Sequence, residues 1–491
     1  MSGGPRQSHE LAEEGGSLGR LGDRRERSQG QPGRREPSSS YCRVLLGQLS
    51  GRALSCLAPN VCLAAAGGCA RERGELEGHV LSLARTSHEQ APDVATVPGV
   101  TRLVAVGEQG GLAPKAAEFF AGIGLVRLGL ESAGFDVVWS NDIEPSKQEM
   151  YAGHFGDPPD GGHTFRLGDI GDVSSADMPP GIALAWASFP CIDLSLAGWR
   201  RGLEGSHSST FWHFTRVLDE MGEGRPGVVA LENVVGLATS RDGEDLAAAV
   251  RELNRLGYSA DVLTLDARRF VPQSRPRLFI VGAQQPPAGH AEHDSALRPD
   301  WLQTPFGDPT LVTHSALLPE PPRPLTRGLS SVIEPLAPDD PQWWDGTRTA
   351  AFLSSLSPVQ AERLRTFRDS PDLAYRTAYR RTRQGKAVWE VRPDDISGCL
   401  RTARGGSSKQ AVVQAGRGSV RVRWMTPREY ARLMGADHYQ LDGVRRNQAL
   451  FGFGDAVCVP VVAWLAEHYL MPLVRGDLGG QRVKKLAVAG A

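Results

Sequence analysis

From Lys115 onward the chain alternates short apolar runs with longer segments in which apolar residues recur every three or four positions. The first pattern is that of buried strands and the second that of amphipathic helices. Their alternation predicts an α/β domain built on a mainly parallel sheet. "AAEFF" (116–120) reads as the first strand, "AGIG" (121–124) as a tight turn, and "LVRLGLESAG" (125–134) as a helix closed by Gly134. "FDVVWSND" (135–142) is the next strand, and "GIALAWASF", "GVVALENV" and "RLFIVGA" are three more, each bounded by turn residues.

The alternation fails on both sides of this core. Up to about residue 112 the chain is rich in Arg, Gly, Ser and Pro with little to bury, as in "GRLGDRRERSQGQPGRREPSSS", which predicts a disordered leader. After Pro286 prolines cluster in "LLPEPPRPL", and basic residues interleave with aromatics in "YRTAYRRTRQGKAVWEVR". This reads as a smaller second domain. Helices return with "TPREYARLMG", where Thr426 is the expected N-cap, Pro427 the first helical residue, Glu429 the partner in a capping box, and Gly435 the stop. The division expected is therefore 1–112, 113–285, 286–424, 425–475, and a flexible tail over 476–491.

Composition narrows the class. The 491 residues are 40% hydrophobic, enough for a sizeable core, and carry a formal net charge of −1, so any affinity for nucleic acid has to come from local patches. No apolar run of membrane-spanning length stands out, and the first residues lack the order of a secretory signal. The cysteines are Cys42, Cys56, Cys62, Cys69, Cys191, Cys399 and Cys458, an odd number without dense spacing. That argues for a reducing cytoplasm rather than a disulfide framework, and the absence of C-x-x-C pairs argues against zinc.

Several stretches can carry chemistry. "EFFAGIG" joins a strand to a helix through glycines, where bare amides and a helix start can face a ligand. Asp142 follows at the end of the next strand, placed to accept from ribose hydroxyls. The dinucleotide fingerprint is not completed and no P-loop lysine follows, so a nucleoside without a bound phosphate fits better. Cys191, in "FPCIDLS", follows a strand; both a packed thiol and a nucleophile are open there. Glu232 ends the next strand. Gln273, Arg275 and Arg277 alternate, so in an extended chain they share one face, either as an exposed basic edge or inside a cleft.

In order along the chain, "FFAGIG", "SNDIEP", "GDI", "FPC", "ENV", "QSRPR", "RGGSSKQ", "TPREYARLMG" and "FGFGDAVCVPV" resemble the motifs of the DNA (cytosine-5) methyltransferase family, over about 116–473. The resemblance implies a Rossmann-like class I methyltransferase sheet with a smaller target-recognition domain. It also implies S-adenosylmethionine as cofactor, with Phe120 packing on the adenine and Gly122 and Gly124 admitting the methionine part. Asp142 would take the ribose, Ile143 the other adenine face, and Asp169 with Ile170 the adenine edge; Asp455, Ala456 and Val457 would complete the pocket.

The same resemblance implies transfer of the methyl group to C5 of a cytosine flipped out of duplex DNA. Cys191 would add to C6, because C5 is otherwise too poor a nucleophile. Glu232 would engage the cytosine N3 and amine, Arg277 its O2, and Arg275 would position the cysteine and glutamate. Arg200, Arg201, Gln273, Arg380, Arg381 and Arg404 are the expected DNA contacts. The protein is expected to act as a monomer, in the cytoplasm of a prokaryote or phage host, with a restriction endonuclease as a potential separately encoded partner. Four positions depart from the family pattern: Ile192 for a usual Gln, Ser188 and Leu125 for glycines, and Asp455 for Asn. None is a catalytic group. A tRNA (cytosine-5) methyltransferase would share these residues, whereas a silent homologue would lack some of Cys191, Glu232, Gly122 and Gly124.

Overall fold

The structure is a computed structural model that describes residues 112–156, 161–190, 210–288, 291, 295–383, 385–401 and 409–478. The expectations for the leader (apart from Leu112) and for Cys191, Ile192, Arg200, Arg201 and Arg404 lie outside those residues.

Seven strands form one sheet: β1 (Lys115–Phe119), β2 (Asp136–Asp142), β3 (Thr164–Leu167), β4 (Ile182–Ala187), β5 (Val228–Val234), β6 (Ser259–Asp266) and β7 (Pro276–Ala283). Their order is β3-β2-β1-β4-β5-β7-β6, and β7 alone runs against its neighbours. The central strands are buried on both faces, which is why they read as continuous apolar runs. Leu184, Trp186 and Ala230 enter one core layer, while Ala185, Ala187, Val229 and Leu231 enter the other. This is the α/β architecture expected from the alternation.

The second layer is filled by α3 (Thr210–Glu220) and α4 (Glu244–Arg255). The first holds α1 (Leu125–Ser132), α2 (Pro145–Phe155) and the C-terminal helices. α1 lies so close to the helix Val459–Leu465 that a Cβ at Gly129 would fall 2.5 Å from the Val462 Cβ. The stretch Arg446–Arg475 is long and apolar enough by composition to cross a membrane, a run the sequence reading passed over. Here it is core: 67% of its apolar window is buried against the sheet layer.

The helix over Pro427–Leu433 has the capping box expected, with Thr426 and Glu429 satisfying each other's end of the turn. Glu429 has a second duty, a fully buried ion pair with Arg423.

The smaller unit is a four-stranded antiparallel sheet, β8 (Ala374–Arg383), β9 (Lys386–Val391), β10 (Ala411–Gly416) and β11 (Ser419–Trp424), in the order β11-β10-β8-β9. Its separate core gathers Phe352, Leu364, Ala378, Val413 and Val422, with Trp344, Trp389 and Trp424 packed around it. Its start departs from the boundary at 286. Leu297, Ala316, Leu329 and Val332 belong to the large core, and Arg298 pairs with the buried Asp261 of β6. Apolar side chains spaced through a proline-rich segment carry no periodicity, so the pattern hid where they pack.

Candidate active site

The sheet order reverses between β1 and β4, and in an open α/β sheet ligands collect outside the strand ends at such a point. A cleft of about 1330 Å³ lies there, walled by the ends of β1, β2, β4, β5 and β7, the C-terminal segment, and the β8–β9 hairpin. That exceeds the 300–1,000 Å³ typical of a single small-molecule pocket, so a cofactor and a second group fit together.

One half of the cleft is built by the β1–α1 turn. Phe120 has φ 59°, a left-handed conformation that a bulky residue adopts only where its surroundings impose it. Asp142, at the end of β2, fixes the turn from below: its Oδ2 accepts from the Gly122 N–H at 2.8 Å and its Oδ1 from the Glu144 N–H at 2.9 Å. Each oxygen keeps a lone pair. Gly124 has φ 78°, and a Cβ there would sit 2.4 Å from the Phe155 ring. Ile143 is exposed on the cleft wall. Asp169 caps a short turn through Oδ1, which accepts from Gly171 N–H at 2.7 Å, while Oδ2 has no partner among the described residues. Ile170, Ala456 and Val457 complete this half.

Beneath the turn lies a group that sequence reasoning passed over. Glu118 on β1 is buried, neither carboxylate oxygen has a partner among the described residues, and burial pushes its pKa well above the usual range. A single acid inside an apolar run carries no signal beyond its rarity.

The other half gathers the strand ends expected to do the chemistry. Because β7 runs backwards, its first residues lie beside the last residues of β5, with Arg277 opposite Val234. Arg277 Nε meets Glu232 Oε1 at 2.8 Å, both side chains largely shielded. Asn233 donates to the Phe189 carbonyl at 3.0 Å, tying the end of β5 to the "FPC" segment. Pro190, the last described residue before Cys191, lines the cleft. Ser188, one of the departures, accepts from the Trp186 indole N–H at 2.9 Å, a bond glycine could not make.

Two assignments change. Gln273, expected at DNA, is fully buried: its amide donates to the Leu433 carbonyl at 2.7 Å and accepts from Leu400 N–H at 3.0 Å. It joins elements inside the fold and presents no surface to a duplex. Arg275, expected to position Cys191 and Glu232, is buried in the cleft wall, and its hydrogen bonds do not go to Glu232. Its guanidinium donates to the carbonyls of Leu400 at 2.6 Å, Gly454 at 3.2 Å and Ala456 at 2.7 Å. It thereby clamps the segment leading into β10 onto the C-terminal wall of the glycine-turn half, and burial together with Arg277 lowers its pKa. Alternation placed these side chains on one face but not which way that face turned.

The structure adds Cys399, a half-buried thiol lining the cleft 3.3 Å from Arg275 Nη1. Burial alone would raise its pKa; Arg275 and Arg277 outweigh that and lower it. Nothing in its sequence neighbourhood marked it. Asp455, another departure, pairs with Lys147 of α2 at 3.1 Å in the lining of the glycine-turn half, which an asparagine would do only weakly. Arg380 and Arg381 reach the cleft from β8.

The family model for C-5 cytosine-specific DNA methylases matches residues 115–470. The chain belongs to this family. Type II methyltransferase M.HhaI of Haemophilus parahaemolyticus is 34% identical over 33% of this chain and 47% of its own. M.HaeII of Haemophilus aegyptius is 35% identical over 34% and 50%. The chain therefore spans about half the length of those curated relatives. Type II methyltransferase M1.ScrFI of Lactococcus lactis subsp. cremoris aligns further, at 26% identity over 72% of this chain and 78% of that one.

Proposed function

We propose that the protein is an S-adenosylmethionine-dependent DNA (cytosine-5) methyltransferase acting on duplex DNA, as a modification enzyme of the type II kind. The observation that carries this is the Glu232–Arg277 pair at the strand ends, opening into the same cleft as the β1–α1 glycine turn.

The donor set suits the cofactor. The turn leaves no room for a Cβ at Gly124, Asp142 keeps lone pairs for hydroxyls, and Asp169 keeps an oxygen for an amino group. Phe120 and Ile143 supply apolar surface for a purine. Bound there, S-adenosylmethionine supplies an electrophilic methyl group.

The protein's residues act on the cytosine. Cys191 forms a bond from its thiolate to C6, which moves electron density to C5; C5 then bonds to the methyl carbon as the carbon–sulfonium bond breaks, and β-elimination releases the thiolate as water takes the C5 proton. Glu232 binds N3 and the exocyclic amine, and Arg277 holds the base oxygen while orienting Glu232. Arg275 acts through position: its bonds to Leu400, Gly454 and Ala456 hold both walls of the cleft. The cytosine has to leave the stack, at a cost of a few kcal/mol.

Transfer of a labelled methyl group to genomic DNA and to bulk tRNA, offered separately, tests the proposal. Label in DNA alone is expected; label in tRNA alone contradicts the choice of substrate.

A further inference from the structure

The β8–β9 hairpin has two faces of different chemistry. Ala378 and Val391, paired in register, point into the small core. With a period of two, Thr377, Tyr379 and Arg381 point the other way. Thr377 is fully buried and its Oγ1 accepts from Gly398 N–H at 3.2 Å in the cleft wall, and beyond it Tyr379 and Arg381 line the cleft, joined there by Arg380 from the opposite face. Burial falls from Thr377 outward to Arg381, whose side chain is 49% exposed at the rim.

Glu390 of β9 stands opposite Tyr379. The Tyr379 O–H donates to Glu390 Oε2 at 2.8 Å, and Arg381 Nε lies 3.2 Å from the same oxygen. The Arg381 Cζ is 5.1 Å from the Tyr379 ring centre. The Arg381 side chain is thus held by its inner nitrogen, and Nη1 and Nη2 have no partner among the described residues.

We propose that Arg381 reads a guanine in the target sequence, with Tyr379 and Glu390 as its positioning residues. The proposal rests on duplex DNA being the substrate. A guanidinium edge offering two parallel N–H groups matches O6 and N7 of guanine in the major groove. Holding that edge beforehand removes rotamer freedom that a loose arginine loses on docking. The adjacent Glu390 carboxylate opposes a phosphate. Arg380 and Arg401 line the same cleft with no counter-ion among the described residues, and they suit the backbone instead.

The test uses the full chain and a pool of duplexes randomised around one cytosine, read by bisulfite sequencing. Arg381→Ala and Arg381→Lys are expected to lose preference for guanine at one position by about 10- to 100-fold and to keep it elsewhere. Glu390→Gln and Tyr379→Phe are expected to weaken the same position less, and Arg380→Ala to lower all sequences alike with a shallower salt dependence. In unmutated protein, 7-deazaguanine at that position is expected to reproduce the Arg381→Ala loss, an arm that does not depend on a variant folding. A uniform loss in Arg381→Ala, or an unchanged site profile, overturns the proposal. Absence of DNA methylation by the unmutated protein overturns the substrate reading and this proposal together, an outcome visible before any variant is compared.

Discussion

Glu232 and Arg277 face each other at 2.8 Å because the strands that carry them run in opposite directions, so the end of one meets the start of the other. A parallel β7 would have put Arg277 at the far edge of the sheet. The reversal of one strand thus sets a carboxylate and its orienting cation at the mouth of the cleft.

Glu232→Gln keeps the shape and removes the charge. Its expected effect is a fall in kcat of roughly 10²- to 10⁴-fold, with thermal unfolding nearly unchanged. Arg277→Ala is expected to lower kcat too, since Glu232 loses the group that orients it. Single-turnover methyl transfer checks both.

Arg275 has a different signature. Its three carbonyl partners sit on two walls, so Arg275→Met is expected to lower stability by about 1.5–3 kcal/mol or more for lost charge-assisted bonds. Cofactor affinity is expected to fall in parallel, because Gly454 and Ala456 border the cofactor half. Denaturant unfolding and cofactor titration measure the two effects on one sample.

Gly124→Ala strains the β1–α1 turn in two ways, by a left-handed φ of 78° and by contact with Phe155. The conformational part alone is about 1–2 kcal/mol, and overpacking adds about 1–3 kcal/mol. The expected outcome is weaker cofactor binding, with DNA binding measured by electrophoretic shift less affected.

The two described free thiols should separate under alkylation. Cys399 is lowered by Arg275 and Arg277, so its thiolate is present at lower pH than for a free cysteine near ~8.5. Burial pushes Cys458 up to about 12, so it stays protonated and shielded. Iodoacetamide at neutral pH followed by peptide mass spectrometry is expected to mark Cys399 and spare Cys458 in the folded protein. Equal labelling of both would contradict the environments described.

Much of the large domain was legible because central strands in a parallel sheet announce themselves as apolar runs; β1, β2, β4, β5 and β7 all do. β3 was not, since its four residues at the sheet edge alternate between exposed and half-buried. The small sheet was hidden by its arginines, which interrupt the apolar positions of β8 and β11. At the site, Asp142 and Glu232 could be named because each stands at the end of a strand, whereas Phe120, Asp169 and the role of Arg277 came only with the family resemblance. The burial of Gln273 and Arg275 could not, because it depends on Leu400, Leu433 and Ala456, distant in the chain.

The central claim is that Cys191 is the nucleophile, and Cys399, a thiol lining the cleft, makes the question a real one. Duplexes with 5-fluorocytosine at the target block loss of the C5 substituent and should trap the covalent adduct in the presence of S-adenosylmethionine. Peptide mapping of the trapped complex is expected to place the nucleotide on Cys191, with no adduct in Cys191→Ser. An adduct on Cys399, or normal methylation by Cys191→Ser, would contradict the account.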